Sequence, residues 1–554
     1  MRKNLLGLFL VLTFLVPSAA LAQTTVKITS QERKMAEAIT AAQLKDYLYY
    51  VASDEMGGRD TPSLGLDLTA KFIGTLLSRW GFKPAGDNGS FFQKMDMHRD
   101  LVNQASTVAT LGGQNLVYGT DFFANPIAGN LSNLPLVFGG EGWMIKSKGI
   151  EPYKDLDVRG KIVVVYTGNF PRGVKPQEIF GSGKRGEAWA DPMTYAKQNG
   201  AVGVIAIATP DVEQRWQVIR PLRERGNYVI DKLEDLNNKQ LPTIYVSSKT
   251  AENLFKGESN DFGKIAEIYK SPATLPSFAL SAGKTASMTV LTTAERAATQ
   301  NIVAVWEGSD PVLKNEYVAI GAHYDHEGTN PNARGDDKIW NGADDDGSGT
   351  VAVLSIAEAL TKAPKRPKRS VLFVWHAGEE HGLWGSEYFN KFPTVDIKQV
   401  VAQLNIDMIG RSLDPNNIIK CGQNKPCNEE LSGPNGIYVI GSEMMSTTLG
   451  AITKGTNDAY LKIGYDYKYD DPNDKNRFFF RSDHFNYAQN GIPIVFWFDG
   501  VHEDYHQPTD TADKIDYAKM EKVTRTIYLT LLEVSDLNER PKVDKQLPPE
   551  LTRR

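Results

Sequence analysis

Cysteine is nearly absent from this 554-residue chain: there are two, Cys421 and Cys427. That excludes a fold stapled by a disulfide framework. It also excludes a cysteine-based zinc ribbon, because CGQNKPC has no histidine or further cysteine beside it. In an oxidising compartment the pair reads either as a local disulfide closing a Gly/Pro-containing loop or as two free thiols. An excess of positive charge is also missing. The formal net charge is -5, which is not the basic balance of a nucleic-acid binder. Long apolar runs are absent too, apart from residues 5–16, which are too few to span a bilayer. No internal repeat or low-complexity stretch interrupts the chain. What is present, 41% hydrophobic and 23% charged residues, belongs to an ordinary globular protein long enough for more than one domain.

The short apolar run has telling neighbours. Met1-Arg2-Lys3 precedes it and Ala20-Leu21-Ala22 follows, with small residues at the two positions a signal peptidase reads. Residues 1–22 therefore read as a secretory signal peptide cleaved before Gln23, which predicts export to the periplasm or the medium. No cysteine follows the run to carry a lipid anchor, so no stable membrane insertion is expected after cleavage.

Residues 30–81 show helical spacing, with Leu44, Leu48 and Val51, then Leu68, Phe72, Leu76 and Leu77, at three- and four-residue steps. Residues 106–111 alternate as a strand. Over 121–276 the texture changes: KIVVVYTG, AVGVIAIA and LPTIYVS are buried strands, with a helix predicted over 187–200. From 285 to 537 apolar strands (NIVAVWEG, EYVAIGAHYD, RSVLFVWHA, VAQLNIDMIG, GIYVIG, IPIVFWFDG) alternate with helices over 349–360, 383–390 and 517–534. The fold class is α/β: a mixed, mostly parallel sheet with helices on both faces, plus an inserted small β-rich domain. The expected division is 23–120 for the N-terminal part of the main domain, 121–276 for the insert, 277–537 for the rest of the main domain and 538–554 for a charged, loose tail.

The chemistry concentrates late in the chain. Of eight histidines, seven lie at or beyond His323. AHYDH ends a strand with His323 and Asp325; NGADDDGSG carries Asp344, Asp345 and Asp346; WHAGEEHG carries Glu379 and Glu380; LNIDMIG carries Asp407; HEDYHQPTD carries Tyr505 and His506. Mixed imidazole and carboxylate donors at strand ends suit zinc, and in such sheets ligands gather at the carboxyl ends of strands. Taken singly, each of these groups reads more simply as a surface or core pair; their ordered occurrence is the signal.

These motifs resemble the bacterial leucyl aminopeptidase-like family of co-catalytic dizinc exopeptidases, which also includes glutamate carboxypeptidases. The order DVRGKIVVVYTG, helix, GAVGVIAIATP is similar to a protease-associated domain. The resemblance implies two zinc ions per chain, with His323, Asp345, Glu380, Asp407 and His506 as ligands. Asp345 takes the bridging place, Glu379 that of general base, and Asp325 orients the ring of His323. Three ligand carboxylates and one shared hydroxide would balance two Zn²⁺ ions, and such balance matters because buried uncompensated charge is costly. Where some family members have an oxyanion-stabilising tyrosine before the SDH motif, Phe479 stands here; Tyr505 resembles the residue with that role in the carboxypeptidase branch. His484 belongs to that SDH. Asp344 and Asp346 read as loop or cap residues, and His326, His376, His381 and His502 as supporting residues.

The expected activity is exopeptidase action on peptide or protein substrates, in the aminopeptidase direction. Acid dominates the metal motifs, and the nearby arginines able to hold a substrate carboxylate are few: Arg334, Arg411, Arg477 and Arg481. The rival readings are a carboxypeptidase or dipeptidase of the same superfamily, a single-zinc glutaminyl cyclase and a non-catalytic receptor-like member. Metal content separates them: two, one or none.

Overall fold

The computed structural model describes residues 26–235, 238–416, 420–421, 425–426, 430–547 and 549. The expected signal peptide and Cys427, hence the disulfide question, lie outside these residues. The chain forms two compact units, one of residues 1–94 with 300–554 and the other of residues 95–299.

The first unit is built on a sheet whose strands include β1 (Thr292–Trp306), β2 (Tyr317–His323), β3 (Ser370–His376), β4 (Val400–Ile406), β5 (Gly436–Ile440), β6 (Gly464–Asp466) and β7 (Ile494–Phe498). Their spatial order is β1-β3-β2-β4-β7-β5-β6. The central four, β3, β2, β4 and β7, are parallel, whereas β1 and β5 run antiparallel to their neighbours β3 and β7. Every residue of β3, β4 and β7 is buried, as continuous apolar runs such as SVLFVWH and IVFWF require of a sheet covered on both faces. Because these strands are parallel, their carboxyl ends share one edge, and the polar motifs of the sequence follow from it.

The covering helices include α1 (Ala41–Val51), α2 (Leu64–Arg79), α3 (Gly349–Lys362), α4 (Trp384–Lys391), α5 (Thr447–Ala459), α6 (His484–Gln489) and α7 (Tyr517–Ser535). α1, α3 and α7 pack on one another. α1 buries Leu44, Leu48 and Val51 as its spacing predicts. α2 differs: it buries Leu66, Ala70, Ile73 and Leu77, and leaves Leu68 exposed. Phe72 is half-buried and packs against Tyr50, the ring centroids 4.4 Å apart and the planes tilted by 36°. Residues 538–547 are not the loose tail expected. Arg540 donates to Glu316 and to the carbonyl of Lys398, and Val543 and Leu547 pack on the core.

The second unit is a nine-stranded sheet in which Ile162–Tyr166, Gly203–Ile207 and Thr243–Val246 lie parallel. These are the three strands read from the sequence. The helix expected over 187–200 is shorter, Pro192–Gln198, after a two-residue strand at Trp189–Ala190. Asp191 sets its start by accepting the Thr194 N–H at 3.1 Å, and proline occupies the first helical position.

Candidate metal centre

Four loops leaving the carboxyl edge of the first unit's sheet bring their polar residues together. His323 closes β2, Glu379 and Glu380 follow β3, Asp407 follows β4, and His506 lies in the loop after β7. Asp345 enters from the loop before α3 and sits between the two histidines. One of its oxygens is 3.2 Å from His323 Nε2 and the other 3.1 Å from His506 Nε2. Glu380 Oε2 is also 3.1 Å from His506 Nε2, and Asp407 Oδ1 is 3.7 Å from His323 Nε2. The sequence-predicted ligands thus meet as two donor sets sharing Asp345: His323 with Asp407, and His506 with Glu380.

The donor set fits a metal pair. His323, Asp345 and Asp407 can each place one donor atom within 4.8 Å of the others; so can Glu380 and His506 together with Glu327, and His326 stands as near to Asp345 and Glu380 from behind them. The Nε2 atoms of His323 and His506 are buried without a hydrogen-bond partner, although carboxylates crowd them. Such lone pairs facing carboxylates are what cations would satisfy. Burial, joined by the charges of Glu380, Asp407 and Asp483, pushes the Glu379 carboxyl well up, against the pull of His323. Burial also raises Asp407, with Asp345 adding to it and His323 opposing. This crowding of negative charge is costly unless cations offset it.

Asp325 departs in part from its expected role. The His323 Nδ1 lies 3.2 Å from the backbone carbonyl of Asp325, and its carboxylate is 3.6 Å away. The carbonyl is the nearer partner of the ring, and the carboxylate lies behind it, where Asp325 Oδ1 also accepts the backbone N–H of Glu379 at 3.2 Å. The carboxylate positions the predicted base by its main chain.

A small cavity of about 50 Å³ opens onto the cluster. Asp345, Glu379, Glu380, Asp407 and Tyr505 contribute its polar side, and Met408, Phe478, Phe496, Phe498 and Val501 its apolar side. The hydroxyl of Tyr505 accepts from Arg481, a fellow lining residue, at 3.2 Å. Of the other arginines weighed above, Arg411 is buried against Asp504 at 2.8 Å. His484 does not reach the cavity: it contacts the Phe479 carbonyl through Nε2 at 2.8 Å and stacks on Phe496, and burial lowers it to about 4.

Some supporting residues carried no signal of their role. Asp346 accepts backbone N–H groups of Gly349 at 2.8 Å, Met408 at 3.1 Å and His323 at 3.2 Å, tying three loops of the site together. Asp344 accepts the N–H of Gly410 at 2.7 Å. Asp510 accepts the N–H groups of Asp344 and Asp345. Arg59 was missed entirely. Fully buried, it donates to the carbonyls of Val51 (2.7 Å), Tyr324 (2.9 Å), Asn341 (2.7 Å) and Gly342 (2.8 Å). Its only sequence cue is GGR, two glycines and an arginine that all adopt positive φ.

Comparison with known proteins now adds to this geometry. Residues 301–531 match the model of Peptidase family M28, and residues 115–254 match that of the PA domain. A probable leucine aminopeptidase of Arthroderma benhamiae is 31% identical over 219 residues, 38% of this chain and 52% of that protein. Leucine aminopeptidase 2 of Arthroderma otae is 25% identical over 344 residues, 57% of each. The alignments thus span about half the length of the curated relatives that the chain matches. Among solved structures, an aminopeptidase from an Aneurinibacillus species superposes with a TM-score of 0.49 at 15% identity, covering 93% of this chain and 97% of that one. Residues 301–531 thus form an M28 peptidase region, and a PA domain precedes it in the chain.

Proposed function

We propose that this chain is an exported, zinc-dependent aminopeptidase that removes apolar residues from the amino ends of peptides, with two metal ions per chain. The observation that carries the reading is Asp345, whose two oxygens each face the Nε2 of a different histidine. The names of the M28 relatives support the peptidase class. His323, Asp407, His506 and Glu380 would hold the ions on either side of Asp345. A zinc pair supplies Lewis acidity, making an attacking water more acidic and a scissile carbonyl more electrophilic.

The protein's own groups do the rest. Glu379 borders the cavity beside the ligand Glu380, where a carboxylate that holds no metal can take a proton from water and return it to the leaving amine. Its backbone is fixed by Asp325. The Tyr505 hydroxyl is placed to donate to the oxygen of the tetrahedral adduct. Met408, Phe496, Phe498 and Val501 leave room for an apolar side chain, and the carboxylates favour a free α-amine beside them.

A second reading rests on Arg481, which lines the same cavity and could hold a substrate carboxylate, as a carboxypeptidase or dipeptidase requires. Elemental analysis and a substrate panel separate the readings. Two zinc ions per chain, hydrolysis of leucyl-p-nitroanilide and loss of cleavage on N-acetylation are expected. Trimming of N-acetylated peptides from their carboxyl ends, with anilides untouched, would establish the second reading. One ion would favour a cyclase, and none a non-catalytic protein.

A further inference from the structure

We infer that His326 is a positioning residue that holds Glu380 so that one of its carboxylate oxygens is committed to the metal centre; this rests on the two-zinc reading above. His326 lies beyond the predicted ligands in AHYDH and is fully buried. Its Nδ1 is 2.7 Å from Glu380 Oε1, while Glu380 Oε2 lies 3.1 Å from His506 Nε2. The two oxygens therefore have separate partners, one the imidazole of His326 and the other the metal-facing side.

The ring is held in a built slot. Its backbone N–H donates to the Arg59 carbonyl at 3.2 Å, and the ring stands edge-to-face to His506, with centroids 5.7 Å apart. Gly342 closes the opposite wall. A Cβ there would fall 2.4 Å from His326 Cγ, and the residue has φ +56°, so only glycine leaves room for the ring. Arg59 pins that wall by donating to the Gly342 carbonyl at 2.8 Å.

The chemistry follows from the carboxylate. A glutamate side chain on a loop can present either oxygen, or both, to a cation. An N–H fixed on one oxygen removes that choice, orients the other and sets its basicity. The donor must be the Nδ1–H tautomer, which leaves the Nε2 lone pair outward; that atom is buried with no hydrogen-bond partner among the described residues.

The test compares His326→Asn with His326→Leu in the full-length protein. The two replacements have nearly the same shape, and only asparagine keeps a donor near the Nδ1 position. Zinc binding is measured by chelator-buffered titration, and the ligand set by X-ray absorption. Wild type is expected to bind two ions. His326→Leu should bind one ion about 10- to 100-fold more weakly, the usual cost of losing such a support, with the other ion unchanged. His326→Asn should recover most of that loss with the same number of nitrogen ligands. Wild-type affinity for both ions in His326→Leu would overturn the inference. So would a loss that asparagine does not rescue together with one fewer nitrogen ligand, which would make His326 itself a ligand. A wild-type protein binding no second ion would overturn the two-zinc reading before any variant is made.

Discussion

Replacing Arg59 with methionine tests whether the metal loops depend on a buried cation far back in the sequence. Methionine keeps much of the volume and removes every donor. Four carbonyls, those of Val51, Tyr324, Asn341 and Gly342, would lose partners now held at 2.7–2.9 Å. The Gly342 carbonyl keeps the Gly347 N–H at 3.1 Å; a buried polar group left unsatisfied costs about 1–3 kcal/mol, which bounds the loss at roughly 3–9 kcal/mol for the other three. One effect reduces it: the desolvation of the guanidinium is recovered, and that burial is large enough to lower Arg59 to about 10 despite Asp325, Asp510 and Asp346 nearby. The expected loss is therefore about 3–5 kcal/mol, the range seen when a buried charge network is broken. At about 2–4 °C per kcal/mol, the first unit should melt about 6–20 °C lower. Differential scanning calorimetry of Arg59→Met beside Arg79→Met, an exposed control expected within about 0.5 kcal/mol of wild type, reads the effect. Zinc affinity should fall in Arg59→Met alone. Equal melting temperatures for the two variants, with zinc binding unchanged, would refute the reasoning.

Other perturbations separate the roles of the acidic residues. Glu379→Gln should keep both zinc ions by elemental analysis and lose about 10²–10⁴ in kcat; near-normal turnover would remove Glu379 from the role of base. Asp346→Asn keeps one oxygen for the Gly349 and Met408 N–H groups but turns an amide N–H₂ against the His323 N–H, so it should cost about 1–3 kcal/mol and weaken zinc binding, read by thermal melting and metal titration. Glu533, half-buried on α7, is pushed up to about 7 by burial, then by Glu32 and Asp536. Its folded value lies above its unfolded one, so the folded state holds a proton that the unfolded state releases, and stability falls as pH rises from about 4.5 to 7. Glu533→Gln should therefore match wild type in melting temperature at pH 4 and exceed it at pH 8; a difference independent of pH would contradict this. Chelation of zinc should lower the melting temperature of the first unit, with recovery on readdition.

Much of this architecture was legible because buried parallel strands leave an unmistakable trace. SVLFVWH and IVFWF have no polar face to hide, so their extents can be read directly. The site residues were legible for a related reason, since they follow those strands at the one edge that a parallel sheet provides. What failed were features set by tertiary neighbours. The periodicity of α2 allowed two overlapping faces, and the aromatic contact of Phe72 with Tyr50 decided between them. The tail looked solvated from its charges, but Arg540 spends its charge on Glu316, leaving Val543 and Leu547 free to pack. Arg59 is the hardest case. Pattern reading assigns a charged residue to the surface, and only knowledge of which carbonyls converge on it reveals a core position.

The acidic triplet of the ADDDGS loop shows why proximity in sequence does not assign function. Asp344, Asp345 and Asp346 are adjacent and all buried, yet their carboxylates point to three different tasks. Asp344 turns away from the metal side, accepts Gly410 N–H and lies 3.2 Å from His502 Nε2. Asp346 collects the amides that begin α3, close β2 and follow β4. Only Asp345 keeps both oxygens for the histidines. A carboxylate saturated by backbone N–H groups has its lone pairs occupied and is a poor ligand, whereas Asp345 takes no such donor on its side chain in the interactions seen here. The division of labour therefore follows from hydrogen-bond supply. Asp346 absorbs the amides of three converging segments, and Asp344 is turned to Gly410 and His502, which leaves the central one facing the metal side. Asp346→Asn and Asp345→Asn should thus differ in kind: the first loosens the loops and loses metal through them, and the second loses metal from a fold whose melting temperature without zinc is close to that of wild type.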